Sequence, residues 1–392
     1  MKHFKYLIIG GGMTADAAAR GVRELDPDGT IGLIGAEADP PYARPPLSKG
    51  MWKGRPFEKV WRGTDKLSVD LKLGRSAKIL NPKARRVQDD RGDEYSYDKL
   101  LLATGGTPKQ FPFGNGHIIY YRTLRDYERL RALAETGRRF AVIGAGFIGP
   151  EIAAALTMQG RQVTLFFLGD SIGAKMYPHD LSQYVNDYYV RKGVELAPAD
   201  SVIALEEKGS RLHLRTQAGR RYEMDGVVAG IGIRPNTDLA ASAGLKVDDG
   251  IVVDSQLRTT ASDIYAAGDV ARFPHHALGK LIRVEHEDNA LQMGRLAGRN
   301  MAGAGEDYSH SPYFYSDLFE LGYEAVGELD STLQTFSDWQ EPFQKGVVYY
   351  LDQQRVRGVL LWNVWDKRDQ AADLIAESGP FSPELLKGRI TG

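Results

Sequence analysis

The sequence predicts an α/β protein in which one strand–turn–helix–strand unit occurs twice and a separate α+β segment closes the chain. Three observations predict it. Two runs of apolar and β-branched residues each lead into a glycine turn and a helix-like stretch. Glycine is abundant, 44 of 392 residues, and clusters after short strand-like runs rather than in linkers. Aromatic residues crowd the segment from about residue 310 onward.

The first unit opens with residues 4–9, Phe-Lys-Tyr-Leu-Ile-Ile, a buried strand. Gly10-Gly11-Gly12-Met13-Thr14-Ala15 follows, then an Ala-rich helix over 16–24 and a strand over 30–34. The turn reads G-x-G-x-x-A. Its first glycine makes the tight turn, its second lets backbone approach a pyrophosphate, and the small third residue, Ala15, lets helix and strand pack. The helix N-terminus then offers unpaired N–H groups to an anion. A lone motif of this kind also fits a bare packing turn. The second unit repeats it with a strand over 140–143, Gly144-Ala145-Gly146-Phe147-Ile148-Gly149, a helix over 150–159 and a strand over 163–167. Pro150 suits the first helical turn, where a missing N–H costs little. Two complete copies predict two Rossmann-like three-layer dinucleotide-binding domains, one holding its nucleotide permanently and one exchanging it. FAD with NADH or NADPH is the usual pair.

Three further strands end in small residues: 100–106 at Ala103-Thr104-Gly105, 227–232 at Gly232, and 264–269 at Gly268-Asp269. Asp269 could accept a ribityl hydroxyl or serve as a helix N-cap. Residues 345–352 and 355–363 read as a hairpin around Gln353-Gln354, and 369–378 as a helix stopped by Gly379-Pro380. This C-terminal stretch is the predicted α+β domain.

Fifty Lys and Arg against 51 Asp and Glu leave a formal charge of −1, which argues against a nucleic-acid binder. No uncharged apolar stretch reaches about 18 residues, so no membrane span is expected. The apolar run from Tyr6 to Ile9 is too short for a signal-peptide core, so a cytoplasmic location is expected. The chain has no cysteine. That removes disulfides, Cys-ligated metal and thiol catalysis, so redox chemistry must rest on a bound cofactor. The eight histidines show no metal spacing. His275-His276 would point apart, and Glu285-His286-Glu287-Asp288 could imitate a metal site, but no metal is expected.

Pro41-Tyr42-Ala43-Arg44-Pro45-Pro46-Leu47-Ser48-Lys49 is similar to the signature of oxygenase-type, putidaredoxin reductase-like ferredoxin reductases and of apoptosis-inducing factors. The runs 284–290, 313–317 and 358–363 look closest to the latter. With both glycine turns, the chain resembles the FAD-dependent pyridine nucleotide–disulfide oxidoreductase superfamily over nearly its whole length. The resemblance implies an FAD-binding domain split over 1–110 and 240–308. It implies an NAD(P)-binding domain over 111–239 and a C-terminal domain over 309–392 above the flavin. The disulfide branch carries a Cys-x4-Cys pair, which this chain lacks.

The resemblance also implies residue roles. Lys49 matches a lysine beside the flavin N5 edge, where a cation stabilises negative charge as hydride arrives. Glu151 matches the glutamate that pairs with it. Arg44 and Arg122 match contacts to FAD, and Ala77 a backbone contact to adenine. Asp269, Glu285 and Glu287 match the flavin-lining segments. Tyr315 matches an aromatic, usually Trp, beside the flavin. Gly10, Gly12, Thr14, Ala15, Ala103, Thr104, Gly105 and Gly268 complete the FAD set. Gly144, Gly146, Phe147, Ile148, Gly149 and Gly232 complete the nicotinamide set. Arg125 to Arg139, interleaved with acids, reads as a solvated helix face.

Four departures stand out. The family's ribose-binding acid aligns with Ala36, one residue before Glu37. The second unit ends its strand in Phe166-Phe167-Leu168-Gly169, with neither an acid for a 2′-hydroxyl nor an Arg cluster for a 2′-phosphate, so the choice of NADH or NADPH stays open. Glu287 stands where ferredoxin reductases often carry Trp. Tyr315 replaces the usual Trp.

The leading functional expectation is an FAD oxidoreductase taking hydride from NAD(P)H and passing electrons singly to a ferredoxin or rubredoxin. A second is an apoptosis-inducing-factor-like flavoprotein, slowly reduced, whose binding or dimerisation responds to redox state. A third is a flavin-linked reductase of quinones, oxygen or another small molecule. Homodimerisation stays open.

Overall fold

In the computed structural model the described residues are 1–114 and 116–392. The chain divides into two compact units. The first comprises Met1–Ala43, Pro56–Thr107 and Arg234–Pro312; the second comprises Arg44–Arg55, Pro108–Ile233 and Tyr313–Gly392.

The first unit is built on a parallel sheet. Its strands run in the order Val69–Leu73, Ile31–Gly35, Lys2–Ile9 and Glu94–Leu102. Ile264–Ala266 adds to the far side of Glu94–Leu102, in register Ile264↔Leu100. The first half of Glu94–Leu102 instead pairs antiparallel with Arg86–Asp89, which pairs with Ala77–Asn81. Leu7, Ile8, Leu33 and Leu100 to Leu102 are fully buried, as both-face coverage of a parallel sheet requires. The helix Met13–Leu25 follows the first strand, with Ala15, Ala18 and Ala19 fully buried. It lies against the helix Glu287–Met301 at very short range. A Cβ on Gly21 would stand 2.0 Å from the Arg295 carbonyl oxygen. One on Gly298 would stand 2.0 Å from that of Ala18, and one on Gly294 2.4 Å from that of Thr14. Glycine at these three positions is what lets the two backbones meet.

The second unit holds another parallel sheet, ordered Val194–Ala197, Gln162–Phe166, Arg139–Ile143, Gly226–Ala229 and Ile118–Tyr120. An antiparallel sheet of Val202–Lys208, Arg211–Thr216 and Arg221–Met224 packs through Leu205, Leu212, Leu214 and Met224. The helix Leu124–Thr136 starts in a Thr123/Asp126 capping box. It buries Leu124, Tyr127, Leu130 and Ala134 and leaves Arg125 and Arg129 exposed, while Arg131 lies over the Trp52 ring.

The C-terminal segment of this unit forms a five-stranded antiparallel sheet. Its order is Tyr313–Leu318, Leu321–Gly327, Arg355–Trp362, Lys345–Asp352 and Gln334–Glu341. The hairpin turn at Gln353 and Gln354 has φ of 47° and 60°, the pair of positive values that a two-residue type I′ turn needs. The helix Arg368–Ala376 covers the sheet, burying Ala371, Leu374 and Ile375. The α/β class with a C-terminal α+β region is therefore the observed one.

Candidate functional site

The first glycine turn sits where three parallel strands end. Gly10 has φ +132°, and a Cβ there would fall 2.0 Å from the Ala103 carbonyl oxygen. Its N–H donates to Ile34 O at 2.8 Å, while Ala103 N–H donates to Ile9 O at 2.8 Å. Gly10 and Ala103 thus close the turn from below. Gly12 is different. It is the N-cap of the helix Met13–Leu25 with no side-chain cap, and a Cβ on it would meet nothing within 4 Å. Thr14 packs onto Gly268, whose φ is +77° and whose Cβ would stand 2.3 Å from Thr14 Oγ1. Thr104 and Gly105 are held to Asn236 by hydrogen bonds at 2.7, 2.9 and 2.9 Å. An uncapped helix start facing open space, on a backbone too tight for side chains, fits a pyrophosphate group.

Around this cradle the polar groups are tied in place. Glu37 stands two residues beyond the strand Ile31–Gly35, and Tyr42 Oη donates to its Oε2 at 2.5 Å. Asp16, fully buried in the first helical turn, accepts from Arg20 at 2.9 Å, Arg62 at 2.6 Å and Thr64 at 2.7 Å. Burial alone would raise its carboxyl, but hydrogen bonds from Arg20, Thr64 and Arg62 outweigh that and hold it below the ordinary range. Ala77 begins an edge strand and is half-buried. Asp269 lies in the turn Gly268–Val270; Arg283 donates to its carbonyl at 3.1 Å and to Glu285 Oε1 at 2.8 Å. Glu287 opens the helix Glu287–Met301, with His286 as its N-cap. Desolvation pulls His286 down to about 4, against the upward pull of Asp269 and Asp288. Among the described residues no cluster of three His, Asp or Glu is placed to hold a metal ion.

The second glycine turn repeats the steric device in the second unit. Gly144, at φ +109°, is closed by the Gly230 carbonyl oxygen, 2.4 Å from its would-be Cβ. A Cβ on Gly149 would lie 1.7 Å from Gly144 O. Gly146 and Gly232 face open space, with nothing within 4 Å. Phe147 is the N-cap of the helix Ile148–Met158, again with no side-chain cap, and its ring meets Phe314 edge-on at 5.2 Å. The neighbouring strand ends at Phe166; Phe167 is buried and Leu168 is 79 % exposed.

The same helix carries Glu151 in its first turn, 2 % exposed. Lys49 Nζ lies 2.8 Å from each carboxylate oxygen. Ser48 Oγ donates to Oε2 at 2.5 Å and Ser316 Oγ to Oε1 at 2.6 Å. Lys49 Nζ also stands 5.2 Å from the centre of the Tyr315 ring. Beneath them Tyr189 Oη donates to Pro150 O at 3.1 Å, and burial pushes its phenol well above the ordinary range. Arg44 donates to Arg122 O at 2.9 Å, and Arg122 N–H in turn to Asp126 at 3.1 Å. The structure thus brings Lys49, Glu151 and Tyr315 together, and Arg44 with Arg122. Sequence reasoning had no reading for Ser316, Asn236 or Asp16; a Gly294-x3-Gly298 spacing was the available sign of the close helix pair.

Two uncapped glycine cradles, each at the C-terminal edge of a parallel sheet, define a protein that handles two dinucleotides. The chain belongs to the pyridine nucleotide-disulphide oxidoreductase family, whose model matches residues 4–294. It is an NAD(P)H-dependent flavoprotein oxidoreductase, the cofactors of that family being FAD and NAD(H). A model of the mitochondrion-associated C-terminal region of apoptosis-inducing factor matches residues 297–342 and 336–377. The chain is 34 % identical to apoptosis-inducing factor 1, mitochondrial, of Dictyostelium discoideum, over 96 % of this chain and 79 % of that one. It is 30 % identical to putidaredoxin reductase of Pseudomonas putida, over 97 % and 93 %. Among solved structures it is similar to the covalent putidaredoxin reductase–putidaredoxin complex, with a TM-score of 0.91, 29 % identity, and coverage of 98 % and 96 %. No helix among the described residues is long and apolar enough to cross a membrane.

Proposed function

We propose that the protein oxidises NADH or NADPH and delivers the electrons to a small ferredoxin-type carrier protein. The observation that carries this is the pairing of two uncapped glycine cradles with a chain free of cysteine. Without a dithiol, electrons from the nicotinamide have no side chain to rest on and must leave to an outside acceptor. Bound FAD supplies the step-down from a two-electron donor to one-electron output. The relatives that reduce ferredoxins support the choice of acceptor. A cytoplasmic location goes with this reading.

In this reading Gly10, Gly12, Thr14 and Ala15 cradle the FAD diphosphate, Glu37 takes its ribose, and Ala77 its adenine. Ala103, Thr104, Gly105, Arg44, Arg122, Gly268 and Asp269 hold the remainder, with Glu285 and Glu287 near the flavin. Gly144, Gly146, Phe147, Ile148, Gly149 and Gly232 receive NAD(P)H. Lys49 supplies the cation at the reacting end, Glu151 fixes it, and Tyr315 shapes the stack. The FAD domain is then 1–110 with 240–308, the NAD(P) domain 111–239 and the C-terminal domain 309–392.

A second reading follows from Phe167 and from the match to the C-terminal region of apoptosis-inducing factor. There, reduction is slow and the reduced protein changes its binding or assembly. Anaerobic titration with NADH and with NADPH, followed by rapid mixing with ferricyanide and a ferredoxin, separates the two. Fast reduction and fast release to ferredoxin are the expected result. Slow reduction with a lasting long-wavelength band would favour the second reading, and a protein without flavin absorbance would overturn both.

A further inference from the structure

We propose that Ser316, with Ser48, is a positioning residue for the Lys49–Glu151 pair, acting by saturating the Glu151 carboxylate. The inference deepens the reading above and rests on it.

A carboxylate offers about four lone-pair sites, two on each oxygen. At Glu151 all four are spoken for. Lys49 Nζ is 2.8 Å from both oxygens, Ser48 is on Oε2 and Ser316 on Oε1. The two serines therefore approach from opposite sides and leave the ammonium the middle. Ser48 is 5 % and Ser316 1 % exposed, so water does not compete for either bond. Glu151 has no site left for a substrate hydrogen bond, so its part is to hold Lys49 in place.

The serines also tie two chain segments to one side chain. Ser48 ends the 3-10 turn Pro45–Ser48 and immediately precedes Lys49. Ser316 lies in the strand Tyr313–Leu318, one residue after Tyr315. Successive strand residues face opposite ways, so the inward Ser316 bond sets where Tyr315 projects, and the Tyr315 ring meets Lys49. Removing one hydroxyl frees an oxygen and lets the carboxylate turn. The ammonium then slides off centre; Ser316→Ala also gives up the contact of its hydroxyl with Tyr323, and Ser48→Ala a long bond to Pro45 O at 3.5 Å.

The test uses the flavin-loaded protein and four variants: Ser316→Ala, Ser316→Val, Ser316→Thr and Ser48→Ala. Two readouts are taken: the flavin midpoint potential, and anaerobic reduction by NADH resolved into Kd and limiting rate. With Ser316→Ala and Ser48→Ala the limiting rate should fall about tenfold while Kd moves less than twofold. The oxidised–reduced equilibrium should shift about tenfold toward the oxidised form, about 30 mV for a two-electron couple. Ser316→Thr, which keeps the hydroxyl, should recover both to within twofold; Ser316→Val should not. In a Glu151→Gln background Ser316→Ala should add nothing. If the Ala and Val variants lose only thermal stability, with potential and rate at wild-type values, the positioning role is overturned and the flavoprotein reading stands. A wild-type protein without flavin absorbance would overturn that reading and this inference with it.

Discussion

At the first glycine turn the backbone is closed by Ala103, and the acid two residues past the neighbouring strand, Glu37, is already oriented by Tyr42. At the second turn Gly230 closes the backbone in the same way, but the neighbouring strand runs into Phe166, the buried Phe167 and the exposed Leu168. The glycine ends of the two cradles, which the proposed function gives to diphosphates, are near copies, because one steric problem has one backbone solution. The ribose ends differ because nothing steric governs them. A pre-oriented carboxylate suits a nucleotide that stays. An apolar end suits one that exchanges, at the cost of reading its 2′ substituent.

The largest effects should come from filling the two turns separately. Gly10→Ala places a methyl group 2.0 Å from a carbonyl oxygen at a φ that L residues avoid, so the purified protein should lose its FAD, read as the flavin-to-protein absorbance ratio. Gly144→Ala should leave the protein yellow yet slow its reduction by NADH at least about 100-fold, the loss that misplacing a bound reactant brings. If both variants lost flavin equally, the division of labour between the turns would be wrong.

Next comes Lys49→Met. It leaves a buried carboxylate without its cation, a loss of about 3–5 kcal/mol when one partner of a buried pair is removed. Denaturant midpoints measure it. The reduction rate should fall about 100-fold as well, since the cation is the electrostatic partner of incoming negative charge. Glu151→Gln, which keeps the shape but only one oxygen to accept from a serine, should cost less on both counts.

A smaller effect sharpens the ribose contrast. Wild-type protein should bind ADP-ribose and its 2′-phosphate with affinities within about tenfold of each other, since no acid stands at Phe167 to repel the phosphate. Phe167→Glu should tip the ratio about tenfold toward the 2′-hydroxyl form, by accepting its hydrogen bond and repelling the phosphate. Titration calorimetry measures both.

The smallest is a pH effect confined to the first unit. His286 sits at about 4 folded and near 6.5 unfolded, so the unfolded chain binds the extra proton between those values. Stability should therefore fall as pH drops from about 6.5 toward 4, by about 1–3 kcal/mol for this residue. His286→Gln should flatten that limb of the curve in thermal melts.

Much of the fold was legible because glycine turns impose steric demands that few residues meet. The two strand–turn–helix units and the Gln353–Gln354 hairpin lie within three residues of the pattern, the first helix starting at Met13 rather than 16. The antiparallel sheet over 202–224 carried a period-two signal in Leu212, Leu214 and Thr216, diluted by the charged residues facing water. The site was legible unevenly. Lys49 and Glu151 are 102 residues apart, and no local period connects them; resemblance did. Ser316 falls in the run 313–317 that carries part of the resemblance, but its role was unread, because a serine in a strand has the same local pattern whether it faces water or a carboxylate. Glu37 stood one position off the family register, and although Tyr42 lies in the signature run 41–49, no local pattern told that its hydroxyl reaches back to Glu37.

The glycine junction between the helices Met13–Leu25 and Glu287–Met301 has a consequence for how the chain is made. Glu24 and Arg295, paired beside it at 2.6 Å, are 271 residues apart. At about 5–20 residues per second, the first helix waits on the order of tens of seconds for its partner to leave the ribosome. Throughout that interval its alanine and glycine face has nothing to pack on, and the parallel sheet lacks the strand Ile264–Ala266. Synthesis order therefore leaves the first unit incomplete until more than three-quarters of the chain exists, and that open interval is where a holding chaperone would matter most.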